Sequence, residues 1–209
     1  MSETLQADEP APVPTRERQR IETRNLILRV ALGEIGEAGL AQARIEHIAR
    51  KAGVTRPTIY AHFPRKEDFL RALETYAEER VLAELRSRIQ ESEGPDLIHR
   101  MVDVIFDLLE VGNPVLRRET FARIIREPPD GNWTQRALFG FVSELLEAAQ
   151  ARGELRSTIP PEEFIPLVVK AIFGFLVVES EPANERRRAS HRMLDLLIAG
   201  AATTEGKSQ

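Results

Sequence analysis

Apolar residues recur along this chain at steps of three and four, and no stretch alternates with period two, so the pattern predicts helices throughout. Ile27, Val30, Ala31 and Ile35 lie on one face of a first helix starting at Arg16, which Gly36 and Gly39 close. Ile45, Ile48 and Ala49 mark a short helix from Arg44 to Lys51, with Gly53 placed for a left-handed cap. Thr55 is a good N-cap for a third helix, and Pro57 falls in its first turn, where proline is tolerated. Ile59, Tyr60 and Phe63 form its apolar side before Pro64 stops it. A long amphipathic helix follows over 66–91 and ends at Gly94-Pro95. Five more are predicted at 96–110, 114–126, 132–151, 161–179 and 184–201, separated by Gly112-Asn113-Pro114, Pro128-Pro129-Asp130-Gly131, Gly153, Pro160-Pro161 and Pro182. Pro166 lies inside one of these and should kink it or mark its true start. The expectation is an all-α chain of about nine helices, preceded by a disordered leader at 1–15 that carries Pro10, Pro12 and Pro14.

Composition narrows the chemistry. With 209 residues, 42% hydrophobic, 30% charged and a mean hydropathy of -0.29, the chain reads as globular and water-soluble. It has no cysteine, which excludes disulfides, thiol nucleophiles and Cys-ligated metal. Its start carries Glu3, Asp8 and Glu9, unlike a signal peptide, and its longest strongly apolar run, Ala171 to Val178, is far shorter than the ~20 residues that span a bilayer. A cytoplasmic location is expected. Charge is uneven: residues 1–15 carry a net -3, 16–71 carry +5 and 72–209 carry -6. A basic N-terminal unit on an acidic body suggests a local contact with a polyanion.

Enzyme motifs are missing. There is no glycine-rich phosphate loop, no dinucleotide fingerprint, no Gly-x-Ser-x-Gly and no pair of Glu-x-x-His segments, and His47, His62, His99 and His191 lack ligand spacing. No catalytic residue, metal site or cofactor is predicted. Arg186-Arg187-Arg188, flanked by Glu179, Glu181 and Glu185, reads as a solvated face.

The informative stretch is Arg44 to Lys66, RIEHIARKAGVTRPTIYAHFPRK. Ala49, Gly53 and Ile59 have the spacing of a helix-turn-helix at 44–63: a small residue lets two helices approach, glycine takes the turn, and isoleucine packs the second helix on the first. In such a motif the second helix enters the major groove with its first residues on the base edges. Those residues are Thr55, Arg56, Pro57 and Thr58. Arg56 can bind guanine O6 and N7 through both prongs, and Pro57 and the Thr58 methyl can touch thymine methyls.

From Arg24 to Leu73 the chain resembles the DNA-binding domain of the tetracycline repressor (TetR) family of bacterial regulators. The likeness rests on Ile27-Leu28, Val30-Ala31, Gly39, Ile48-Ala49, Ala52-Gly53-Val54, Thr58-Ile59-Tyr60, His62-Phe63, Lys66-Glu67 and Leu70. Two positions depart from the family pattern: Ala43-Arg44 replaces a Thr pair, and Glu46 stands where many members have Arg. The resemblance implies a DNA-binding domain at 16–65 and a ligand-binding and dimerisation domain at 66–209. It implies that Tyr60, His62 and Lys66 clamp phosphates, with Arg44 replacing the lost hydroxyl; Tyr60 as a core residue and His62 as a plain surface residue stay open. Arg50-Lys51 fits the basic end of a helix better than a DNA contact.

In the family the middle helices enclose a small-molecule cavity, which here implicates Phe106, Leu109, Phe121, Ile125, Trp133 and Phe139. The last two long helices carry apolar stripes, Phe164, Leu167, Val168, Ala171, Ile172 and Phe175 on one and Met193, Leu194, Leu197 and Ala201 on the other. By the family's pattern they form the homodimer interface; otherwise they pack within one chain. The function implied is a homodimeric repressor that binds a palindromic operator and leaves it when a small apolar or aromatic effector binds. The alternative is a ligand-binding helical dimer with vestigial DNA binding.

Overall fold

The computed structural model describes residues 14–89, 96–110, 112–126, 136–152, 159–177 and 181–202, with backbone alone at 125 and 200–202. Among these residues there are nine helices and no strand: α1 (Thr15–Ala38), α2 (Ile45–Ala52), α3 (Arg56–His62), α4 (Glu67–Ile89), α5 (Leu97–Glu110), α6 (Pro114–Arg126), α7 (Ala137–Ala151), α8 (Pro161–Val177) and α9 (Ala183–Ala202). The all-α expectation holds. Pro166 sits within α8, so the helix starts at Pro161 rather than there.

Two hydrophobic cores form, and α4 runs through both. The first is built by Ile27, Ala31 and Ile35 of α1, Ile48 of α2, Ile59 of α3 and Phe69 and Leu70 of α4. Ile27, Ala31, Ile35, Ile48 and Ile59 are wholly inaccessible; burying each isoleucine contributes roughly 1.5–3 kcal/mol. Phe63, just past α3, closes this core against Phe69 with ring centroids 4.7 Å apart, and the Arg24 guanidinium lies 4.6 Å over its ring. The second core holds Val81, Leu85 and Ile89 of α4 together with Phe106, Phe121, Leu146, Phe164, Ile172, Leu176 and Leu194 of the later helices.

The sequence reading places Gly36 at the end of α1, but the helix continues through it to Ala38, and only Gly39, at φ 81°, ends it. Gly36 is small for a tertiary reason. Asn113, ahead of α6, donates from Nδ2 to the Gly36 carbonyl at 3.2 Å, and a Cβ on Gly36 would lie 2.8 Å from that nitrogen. The same Asn113 caps α6, its Oδ1 accepting from Val115 N at 2.9 Å and Leu116 N at 3.2 Å. Glu119 of α6 accepts from Leu40 N at 3.3 Å. Thus α6 is fastened to the end of α1 at two points.

The basic triplet of α9 is not a solvated face. Arg186 is buried and pairs with Glu110, while Arg187 reaches Asp107 at 2.6 Å; Arg188 alone of the three is exposed. The acids that engage them come from α5, not from the glutamates flanking them in sequence, which is why local charge counting misplaces them.

Candidate DNA-reading head and inner cavity

Gly53 ends α2 in the left-handed conformation, φ 66° and ψ 28°, and its N–H returns to the Ala49 and Arg50 carbonyls. That conformation suits a residue without Cβ. Thr55 caps α3, its Oγ1 accepting from Thr58 N at 3.3 Å, and the two hydroxyls lie 2.8 Å apart. Ile59 locks α3 into the core while Thr55, Arg56 and Pro57 face solvent with Thr58 half-exposed. Ala49 and Ile59 therefore pack on the inside of the turn, Gly53 forms its exposed corner, and the predicted base-reading residues lie outside.

The predicted phosphate-contacting residues are spread from the start of α2 to the start of α4. Arg44 precedes α2 and is exposed, and Tyr60 is 44% exposed, which removes it from the core. His62 and Lys66 are half-buried, and the Lys66 amine donates to the Ala41 carbonyl at 3.4 Å. Lys51 instead holds Glu34 of α1 at 2.9 Å, and His47 reaches the other oxygen of that carboxylate at 3.2 Å. The hydrogen bond from Lys51 holds the Glu34 carboxyl below its usual range, so this cation joins α2 to α1. Glu46 pairs with Arg56 at 3.1 Å, across from α2 to α3.

The second core lines a partly open cavity of about 160 Å³. Its wall is almost wholly apolar, from Val81 and Leu85 of α4, Met101, Ile105 and Leu109 of α5, Phe121 and Ile124 of α6, Leu138 and Phe139 of α7, and Phe164 and Ile172 of α8. Polar groups are confined to Glu74, Glu78, Thr120 and Arg136. Arg136 reaches Glu74 at 2.9 Å and Glu78 at 2.6 Å, and Arg123 reaches the other Glu74 oxygen.

Residues 27–73 match the family model described as "Bacterial regulatory proteins, tetR family". Over 187 residues, 87% of this chain and 93% of the relative, the chain is 28% identical to the HTH-type transcriptional regulator UidR of Escherichia coli. Among solved structures it is similar to GusR of Salmonella enterica, with a TM-score of 0.65, 23% identity and coverage of 87% of this chain and 96% of that one. It is also similar to the transcriptional regulator FadR from Bacillus subtilis, in complex with stearoyl-CoA, with a TM-score of 0.61, 19% identity and coverage of 84% and 98%.

Residues 27–73 form a TetR-family DNA-binding domain.

The chain is a DNA-binding transcriptional regulator, and the matched segment spans the helix-turn-helix just described. Outside the segment the TetR-family resemblance predicts less well. Leu109, Phe121 and Phe139 line the cavity. Phe106 does not; it is fully buried beside the cavity wall, with the Arg187 guanidinium 5.6 Å from its ring centre. Trp133 and the Ile125 side chain lie outside the described residues. Glu74, Thr120 and Arg136 were missed, although an acid four residues after Leu70 and a threonine midway between Leu116 and Ile124 both interrupt apolar stripes.

The two C-terminal stripes also divide. Phe164, Val168 and Ile172 turn inward to the cavity, and Leu194 is wholly buried within the chain. Leu167 is 49% exposed, whereas Ala171, Phe175, Met193 and Leu197 are half-buried. The Ala201 side chain is outside the described residues. Leu196, absent from the predicted stripe, is 74% exposed. A wide helical stripe has two edges, and here the protomer covers one of them.

His99 and His191 pack edge to face, 5.0 Å apart, and bind Asp195 and Asp103 at 2.9 and 3.0 Å. No group of three or more His, Asp or Glu able to hold a metal occurs among the described residues. None of the helices described is long and apolar enough to cross a membrane.

Proposed function

We propose that this regulator is a homodimeric repressor that holds a palindromic operator and releases it when a small, largely apolar effector fills the inner cavity. The observation carrying this reading is the double attachment of α6. Its start is fastened to the reading head through Asn113–Gly36 and Glu119–Leu40, and its middle supplies Thr120, Phe121 and Ile124 to the cavity wall. An occupant that moves α6 therefore moves the head.

In the bound state Thr55, Arg56, Pro57 and Thr58 read bases while Arg44, Tyr60, His62 and Lys66 hold phosphates. All eight roles fall on exposed or half-exposed residues. The dimer uses the outer edges of α8 and α9, with Leu167, Ala171, Phe175, Leu196 and Leu197. A two-fold axis sets the two α3 helices about 34–36 Å apart, one turn of DNA. The effector favours a spacing that no longer fits successive grooves; a typical coupling is about 1–3 kcal/mol. The DNA-binding domain comprises 16–65 and the regulatory domain 66–209, and the protein works in the cytoplasm, on the nucleoid when bound.

The Glu46–Arg56 pair favours a second reading, a ligand-binding dimer with vestigial DNA binding, because it occupies the main base-reading cation. Selection of bound fragments from sheared genomic DNA by the purified protein separates the two. Enrichment of one palindromic site supports the repressor; recovery of fragments without a shared site supports the second reading.

A further inference from the structure

The cavity is apolar but for one end, and that end is electrically matched. Among the described residues, its ionisable lining groups are Glu74, Glu78 and Arg136, all engaged in ion pairs, with Arg123 completing the set behind Glu74. One polar atom does not fit this closed arrangement. Thr120 is only 6% exposed and lines the cavity, yet its hydroxyl meets no hydrogen-bond partner in the protein. A threonine within a helix commonly bonds the carbonyl four residues earlier, and here it does not. Buried hydroxyls are costly when unpaired, and valine would fill the same space.

We propose that the cavity binds an uncharged amphipath: an apolar body of at least ring size bearing one hydroxyl or carbonyl that hydrogen-bonds to Thr120. This rests on the effector reading given above and names the chemical class. Thr120 lies one helical turn before Arg123, which reaches Glu74, so the head group sits where α6 meets α4. A free carboxylate there faces Glu74 and Glu78 and must take Arg136 from them. An ammonium faces guanidinium groups whose carboxylates are already engaged. Among the described residues no lining charge is left over to pair with either ion, and burying an unpaired charge is the costly case. A hydroxyl or carbonyl needs only the partner that Thr120 lacks. Size agrees, since an apolar cavity of about 150 Å³ in another protein holds benzene.

The test is calorimetric titration of the full-length protein, without DNA at pH 7, with 3-phenyl-1-propanol, 3-phenylpropanoate, 3-phenylpropylammonium and propylbenzene. The alcohol should bind at least tenfold more tightly than either ion. In Thr120→Val the alcohol should fall to the affinity of propylbenzene, whose own binding stays unchanged. The variant should also melt at the same or a higher temperature, since it loses an unpaired hydroxyl. Equal binding of the acid or the amine overturns the proposal. So does an alcohol advantage that survives Thr120→Val, a lowered melting temperature, or no binding by any of the four. A protein that binds the alcohol but no operator refutes the repressor reading while leaving this one standing.

Discussion

Glu46 of α2 lies 3.1 Å from the Arg56 guanidinium of α3, and both side chains are about half exposed. The Glu46 carboxyl is held below its usual range, first by a hydrogen bond from its own backbone N–H at the start of α2 and then by Arg56. An exposed pair of this kind adds little stability. On the reading proposed above its consequence is directional: the pair ties Arg56 to α2 and offsets its charge toward DNA lacking a suitable acceptor.

Glu46→Gln should therefore raise affinity for random-sequence DNA several-fold and lower the ratio of operator to random binding, read by fluorescence anisotropy across a salt series. An unchanged ratio would leave Glu46 without a role in reading. Arg56→Ala should cost about 1–3 kcal/mol on the operator and relax the preference at one base pair per half-site. Uniform weakening on all sequences would instead make Arg56 a phosphate contact.

Two glycines on α1 provide a matched pair. A Cβ on Gly33 meets nothing within 4 Å, so Gly33→Ala should gain roughly 0.5–1 kcal/mol from helix propensity alone. At Gly36 the same change drives a methyl into Asn113 Nδ2 at 2.8 Å and breaks the hydrogen bond to the Gly36 carbonyl. Gly36→Ala should forfeit that gain and lose about 1 kcal/mol more, and it should weaken effector-driven release of DNA. Urea unfolding of both variants, with operator release measured alongside, checks this. Equal stabilisation by the two substitutions would show that the α1–α6 junction is slack.

Much of this architecture was legible because helix periodicity and caps are local. Gly53 and Thr55 act at the positions their neighbours indicate, and Ile59 packs as the Ala49–Gly53–Ile59 spacing requires. What escaped depends on partners distant in sequence. Gly36 is shaped by Asn113, 77 residues away, and Arg187 by Asp107, 80 residues away. The α8 stripe could not be divided between cavity and outer surface without knowing which helix stands on each side. Thr120 and Glu74 did leave a trace, as polar residues at apolar register.

Acid should loosen the junction of α5 with α9. Arg187, 2.6 Å from Asp107, holds that carboxyl below the ordinary range, and Arg88 adds to the effect from α4 at 3.1 Å. A carboxylate whose folded value is depressed contributes stability that is fully present above its unfolded value, near 4, and disappears as pH falls through the folded value. Because Asp107 is 41% exposed, the contribution is about 1 kcal/mol or less. Asp107→Asn should lower the melting temperature at pH 7, and the difference from the parent should shrink as pH drops below 4. A difference that stays constant down to acid unfolding would show that the side chain acts through packing rather than charge.

The dimer face can be tested without disturbing the protomer. Leu196 is 74% exposed on α9 and Leu167 is 49% exposed on α8, so a charge at either costs the isolated chain little, within about 0.5 kcal/mol. Leu197 is a poorer probe, since it packs against the second core and a charge there confounds assembly with folding. On α8 a Cβ at Gly174 meets nothing within 4 Å, leaving room there for a second helix to approach. If the outer edges of α8 and α9 form the two-fold interface, Leu196→Glu should yield a folded monomer by sedimentation, with parental helicity. A single head then contacts one half-site, and operator affinity should fall at least tenfold while Leu196→Met retains both dimerisation and binding. A Leu196→Glu, Leu167→Glu double variant that sediments as a dimer and binds the operator normally would place the interface elsewhere on the body.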